Sequence, residues 1–476
     1  MKAPTCSRPM KRTRISMRAL RLGKPVSLVG ALALGFLPGW GQSPAATGQS
    51  SLVPSSSTSM ANSLQQAGNN ELHIFYVHGI GAGGPDDFDS NLLRKSICKF
   101  LKDCVTTEGR LEGTDYADQH IFALNAPPPT LAYFGKPVWS SDASGRSEEW
   151  NASAPYVDHW KLERRNAPAV YVDEIDWWPL VFALKCRQII AEDAVLAGPQ
   201  KAYLDLCSKS EADNSHPGRY RLYPWISAAE SQRLKALPAR GARVNRNLKN
   251  SLLDWGLADA LMAVGPMQPL LLEGIRQLVL KSVSVSAGSS PSGTDALADQ
   301  EFVIVAHSLG SYLIFSALDM QAPQSSSAEL KEWQKEFNAI LSRTSVAYFL
   351  ANQLRPLELA SLDTKSSMVH HLETWSALRR SYLADQKSAG GNAFAPPRIV
   401  AWSDPSDVLT WTVPEFQTGT GPDVVTVKDR TIKNAPHWLW LFESPTKAHE
   451  NYAANKRIIQ EMLRPTKDNR KSSRRH

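Results

Sequence analysis

The stretch Val303-Ile304-Val305-Ala306-His307-Ser308-Leu309-Gly310-Ser311 decides how this chain is read. Residues 302–306 are apolar without interruption, which fits a strand buried on both faces of a sheet. A small-x-Ser-x-small pattern follows at once, with Ala306 and Gly310 flanking Ser308. Tyr312, Leu313, Phe315 and Leu318 then fall at helical spacing. The order predicts strand, sharp turn and helix, with Ser308 on the turn. A serine hydroxyl alone is a poor nucleophile. A turn of this kind lifts its Oγ clear of the sheet, where a histidine can take its proton. Small residues two before and two after are needed because neighbouring backbone passes close. The helix start also brings backbone N–H groups towards the reacting oxygen.

A second constellation lies upstream. Ile74-Phe75-Tyr76-Val77 reads as another buried strand and runs into His78-Gly79-Ile80-Gly81. Further strands are expected at 120–124, 167–175, 346–350, 398–402 and 423–427, with helical spacing between them. Strands alternating with helices indicate a mostly parallel sheet covered on both faces. Residues 180–285 carry amphipathic helical patterns, notably Ser251–Met262 and Leu270–Val279, and read as helices inserted between strands.

Together these motifs resemble the α/β-hydrolase superfamily, and in particular its secreted bacterial lipases and esterases. The resemblance implies a mostly parallel central sheet flanked by helices, with a largely helical cap inserted at about 126–295. It makes Ser308 the nucleophile. It implies an oxyanion hole from the backbone N–H groups of Ile80, in the His-Gly loop, and Leu309, just after the nucleophile. Two such donors hold the developing oxyanion, and removing one typically costs roughly 2.7–4 kcal/mol. Ala306 replaces the usual first glycine of the elbow and costs a methyl group's clearance.

The family's chain order is Ser, then acid, then His. The turn after Arg398–Trp402 carries two carboxylates, Asp404 and Asp407. Asp407-Val408-Leu409 fits the acid's usual context, and Asp404, beside Pro405, reads as a turn former. Two histidines follow, His437 and His449. His437 lies in an apolar segment, whereas His449 stands on an expected loop before the terminal helix and is favoured as the base. His307 is expected to pack away from Ser308, and His78 to orient its loop. The implied reaction is hydrolysis of a carboxylic ester, with a small-molecule or lipid ester as substrate and transient contact with a lipid surface. Acyl transfer on the same fold, or a binding protein without catalysis, are the other classes these residues suit.

The bulk numbers agree with a catalytic domain. The chain has 476 residues, of which 42% are hydrophobic and 21% charged, enough for one large domain with insertions. Its formal charge of +7 invites a nucleic-acid reading. Residues 1–24 dispel it, because they hold eight basic residues and no acidic ones. The rest of the chain is near neutral, so no nucleic-acid partner is expected. That basic stretch leads into an apolar run at Pro25–Trp40 and then small residues, the order of a secretory signal peptide over 1–46. The protein is therefore expected to be secreted or periplasmic. Residues 47–70 read as a disordered linker, 71–465 as the hydrolase domain and 466–476 as a basic disordered tail. Four cysteines follow the leader, and local closure favours disulfides Cys98–Cys104 and Cys186–Cys207. No zinc, phosphate-loop or dinucleotide signature competes, and the chemistry requires neither metal nor other cofactor.

Overall fold

The computed structural model describes residues 59–66, 71–79, 90–102, 119–122, 156–164, 166–177, 181, 257–265, 267–286, 297, 300–317, 328–358, 367–388, 398–413, 416–417, 426–434 and 445–464. All of them fall in one compact unit. At its centre lies a nine-stranded sheet. In chain order the strands are β1 (Glu71–Val77), β2 (Gln119–Phe122), β3 (Tyr156–Leu162), β4 (Val170–Asp176), β5 (Gln300–His307), β6 (Thr344–Leu350), β7 (Arg398–Ser403), β8 (Phe416–Gln417) and β9 (Thr426–Thr431). Their spatial order is β2-β3-β4-β1-β5-β6-β7-β9-β8. The six from β4 through β9 run parallel, while β2, β3 and β8 pair antiparallel at the two margins.

β1, β5, β6 and β7, in the middle of the parallel run, are covered on both faces, which explains the apolar stretches Ile74–Val77, Phe302–Ala306, Val346–Leu350 and Ile399–Trp402. Phe75, Val77, Phe302, Ile304, Ala306 and Phe349 face one core. There they meet α4 (Gln268–Ser286), α5 (Leu309–Ala317), α6 (Ala328–Arg343) and α8 (Ser367–Ser388). Leu72, Ile74, Tyr76, Val303, Val305 and Tyr348 face the other. They meet α1 (Met60–Gln66), α2 (Asn91–Leu101) and α10 (Lys456–Met462). The remaining described helices are α3 (Ala258–Val264), α7 (Leu354–Glu358) and α9 (Pro445–Glu450). No described helix is long and apolar enough to cross a membrane.

Three differences from the sequence reading have physical causes. First, the segment expected as a linker, 47–70, contains α1. Met60, Ala61 and Leu64 are fully or almost fully buried. The Met60 N–H donates to the Tyr348 hydroxyl at 2.8 Å, and the Ser63 and Ser345 hydroxyls lie 2.9 Å apart. An apolar stripe of one turn is hard to see inside Ser/Gln/Asn-rich composition. Second, within 126–295, the region expected to contain the cap, β3 joins the sheet beside the expected strand β4, and α4 joins the layer packed on the sheet. β3 was missed because Asp158, His159 and Lys161 break its apolar pattern. Residues 126–155 and 178–256, apart from Val181, lie outside the described residues. Third, His449 stands on the short helix α9 rather than on a loop. Cys98 is buried in α2, but Cys104, Cys186 and Cys207 lie outside the described residues, as do residues 1–46, expected as a leader, and 466–476, expected as a tail.

Candidate active site

The C-terminal ends of the parallel strands gather the residues singled out by the sequence, as expected for ligand sites on open parallel sheets. β5 ends at His307. Ser308 then adopts φ 52°, in the left-handed region that ordinary residues rarely enter. Such a conformation costs roughly 1–3 kcal/mol and persists only where its surroundings enforce it. Here the Ser308 N–H donates to the Leu350 carbonyl at the end of β6 at 2.7 Å, and its carbonyl accepts from the Ser311 N–H at 3.0 Å. α5 begins at Leu309, so the turn occupies a single residue.

Two glycines make the turn sterically feasible. A Cβ on Gly310 would stand 2.2 Å from the His78 carbonyl oxygen and 2.7 Å from that of Val77. A Cβ on Gly79 would stand 2.5 Å from the Ser308 Cβ. The start of α5 and the loop after β1 therefore touch backbone to backbone. Ala306, by contrast, is accommodated with its methyl fully buried.

Ser308 Oγ lies 2.8 Å from His449 Nε2. On the far side of that ring, Nδ1 lies 2.9 Å from Asp407 Oδ2 and 3.0 Å from Oδ1. The Asp407 carboxylate is completely buried, while the His449 side chain keeps 12% of its surface exposed. Asp407 Oδ1 also accepts the Leu409 N–H at 2.9 Å, and Oδ2 the Thr410 hydroxyl at 2.5 Å. Burial alone would push this carboxyl up. The hydrogen bond and charge of His449, with the donors from Thr410 and Leu409, outweigh it and hold the group below the usual carboxylate range. An ionised Asp407 can only accept, so His449 Nδ1 carries the proton. Nε2 then presents its lone pair to the serine hydroxyl.

Asp404 does something else. Its Oδ1 accepts the Ser406 N–H at 2.9 Å and its Oδ2 the Asn434 N–H at 2.6 Å. Its own N–H donates to the Tyr452 hydroxyl at 2.5 Å. It shapes the turn that presents Asp407 and ties that turn to the segment after β9. His437 lies outside the described residues. His78 stacks on Trp177, with ring centroids 4.9 Å apart and an interplanar angle of 9°, and its Nδ1 donates to the Gly79 carbonyl at 2.9 Å. Burial pushes it down to about 4, so it is neutral and fixes the loop. Ile80 lies outside the described residues, whereas Leu309 is buried at the first position of α5.

The sequence reading missed Asn434. Its side-chain N–H donates to the Ala448 carbonyl at 3.2 Å, and its backbone and side-chain oxygens accept from Asn451 and Asn455 at 3.2 Å and 2.7 Å. It pins the segment that carries His449. An asparagine three residues past a strand leaves no pattern in sequence, because its partners lie 14–30 positions away. Among the described residues no group of three or more His, Cys, Asp or Glu side chains is arranged to hold a metal ion.

No protein-family model, curated protein or solved structure matches this chain. The geometry therefore carries the functional argument by itself.

Proposed function

We propose that this protein is an exported serine hydrolase of the α/β-hydrolase type that cleaves carboxylic esters. The observation that carries the reading is the continuous relay from Asp407 through His449 to Ser308 Oγ, placed on a strained turn. Ser308 attacks the ester carbonyl carbon while its proton passes to His449 Nε2. The imidazolium so formed is stabilised by the buried Asp407 carboxylate. His449 then gives the proton to the leaving alkoxide, and an acyl-enzyme remains on Ser308. Water, deprotonated by His449, attacks that ester and releases the acid. The Leu309 N–H, at the start of α5, supplies one oxyanion donor, and the Ile80 N–H the second. Asp407, His449 and Ser308 supply the proton transfers and the nucleophile by themselves. Export rests on the leader-like order of residues 1–46.

The reading is tested by hydrolysis of p-nitrophenyl esters of graded acyl length by the wild type and by Ser308→Ala. Wild-type turnover with a loss of at least about 10³-fold in the variant supports it. Equal rates in the two proteins would remove it.

A further inference from the structure

We infer that His307 is a positioning residue for the base: through one hydrogen bond to the His449 backbone it sets the distance between nucleophile and imidazole. The inference rests on the hydrolase reading above and adds a residue to it.

The Nδ1–Asp407 contact fixes the rotation of the His449 ring. It does not fix the backbone that carries the ring. That backbone belongs to α9, a helix of six residues. The last four carbonyls of any helix lack partners within it, so a short helix has little internal hold on its end. Two of those carbonyls are used here as handles. Asn434 donates to the Ala448 carbonyl, and His307 Nε2 donates to the His449 carbonyl at 3.0 Å. The first handle comes from the segment after β9. The second comes from the residue covalently joined to the nucleophile.

That adjacency is the physical point. His307 ends β5 and Ser308 follows it, so one rigid strand end supplies both the nucleophile and the clamp on its base. Any drift of β5 carries both partners together. The imidazole of His307 is almost fully buried, with its ring 5.4 Å from that of His449 and 6.1 Å from Tyr452. On its other side it meets the loop after β1, where a Cβ on Gly79 would come within 2.9 Å of His307 Nδ1. The ring is therefore wedged between that loop and the base-bearing helix.

The chemistry asks for a donor that stays neutral. A carbonyl only accepts, so Nε2 carries the hydrogen. Burial, with the neighbouring His449, pushes His307 down to about 3. It therefore adds no positive charge beside an imidazole that must itself become cationic in the reaction. Lysine or arginine would donate equally well and would oppose that step.

The test compares His307→Phe, His307→Gln and His307→Asn by the rate of covalent labelling with an alkyl fluorophosphonate, separating maximal rate from probe affinity. Gln places an amide N–H near the position of Nε2; Asn is too short, and Phe has no donor. His307→Phe should lower the maximal labelling rate about 10–100-fold, as expected for a catalytic group misplaced by a fraction of an ångström, with affinity nearly unchanged. His307→Gln should recover most of that loss, and His307→Asn should not. Thermal melts identify any variant that fails to fold; the Gln–Asn pair, similar in polarity, then carries the comparison. Folded Phe or Asn variants that label at the wild-type rate, or a Gln variant as slow as they are, would overturn the inference and leave the hydrolase reading intact. Wild-type protein that fails to label would remove both.

Discussion

Two of the buried histidine–carboxylate sets among the described residues, one past the end of β7 and one inside the sheet, invite comparison. In one, His449 Nδ1 lies 2.9 Å from Asp407 and its Nε2 meets Ser308 Oγ at 2.8 Å. In the other, His73 Nδ1 lies 2.8 Å from Asp173 Oδ2, and His159 Nδ1 lies 2.5 Å from Oδ1. The local bonding is nearly the same. The surroundings are not. Asp407 stands past the C-terminal end of β7 and its imidazole is partly exposed beside a serine in a left-handed turn. Asp173 sits inside β4, with His73 on β1 and His159 on β3, and all three are buried. Tyr171 stacks on both imidazoles at 4.7 and 4.8 Å, and Phe302 lies 5.7 Å from His73. The second set joins three neighbouring strands. On the proposed function, location at a strand end, rather than the His–Asp pair itself, separates a reactive set from a structural one.

The sharpest way to break this contrast is to neutralise each carboxylate in turn. Asp407→Asn should lower ester turnover by about 10⁴-fold, because the amide favours the wrong imidazole tautomer. Stability should also fall, by roughly 1–3 kcal/mol, because the buried amide turns one acceptor into a donor facing the Leu409 N–H, the Thr410 hydroxyl or His449. Gly310→Ala should also remove most activity, since its methyl cannot coexist with the His78 carbonyl oxygen 2.2 Å away. Overpacking of this kind typically costs 1–3 kcal/mol, to be read by denaturant titration. Asp404→Asn keeps the relay but turns one acceptor into a donor facing an N–H. About a tenfold fall in turnover, with roughly 1–3 kcal/mol of lost stability, is expected.

Asp173→Asn is the counterpart with the smallest effect on chemistry. The folded fraction should turn over ester at the wild-type rate, while stability falls by roughly 1–3 kcal/mol, the usual cost of leaving a buried hydrogen-bonding group badly paired. Burial pushes Asp173 up, but charge and hydrogen bonds from His73 and His159 outweigh it and lower the group from 3.8 to about 2. Its contribution is therefore full above about pH 4 and is lost as pH falls towards 2. Acid unfolding followed by circular dichroism should show that slope in the wild type and lack it in Asp173→Asn. A variant that loses activity while staying folded would erase the distinction between the two sets.

Much of this was legible because burial on both faces writes itself into sequence. β1, β5, β6 and β7 each contain an apolar run of four or five residues, and the elbow at Ser308 announces itself by its small neighbours. Asp407, the carboxylate that local context favours, is the one that contacts His449, and His449 precedes the last described helix, though on α9 rather than on a loop. The rest depends on contacts distant in sequence. β3 pairs through polar residues such as His159, whose burial follows only from Asp173 opposite it. α1 is anchored by Tyr348, 288 positions away. The braces at Asn434, Tyr452 and His307 are hydrogen bonds between residues far apart in sequence, with no periodicity to betray them. Local pattern specifies the reacting groups, and tertiary closure specifies what holds them.

The central claim is that Ser308 is a nucleophile activated by His449. Peptide mapping by mass spectrometry after exposure to an alkyl fluorophosphonate tests it most directly. The account predicts one modified residue, Ser308, with labelling abolished in Ser308→Ala and slowed by orders of magnitude in His449→Ala. An adduct on another residue, or equal labelling of the wild type and Ser308→Ala, would contradict it.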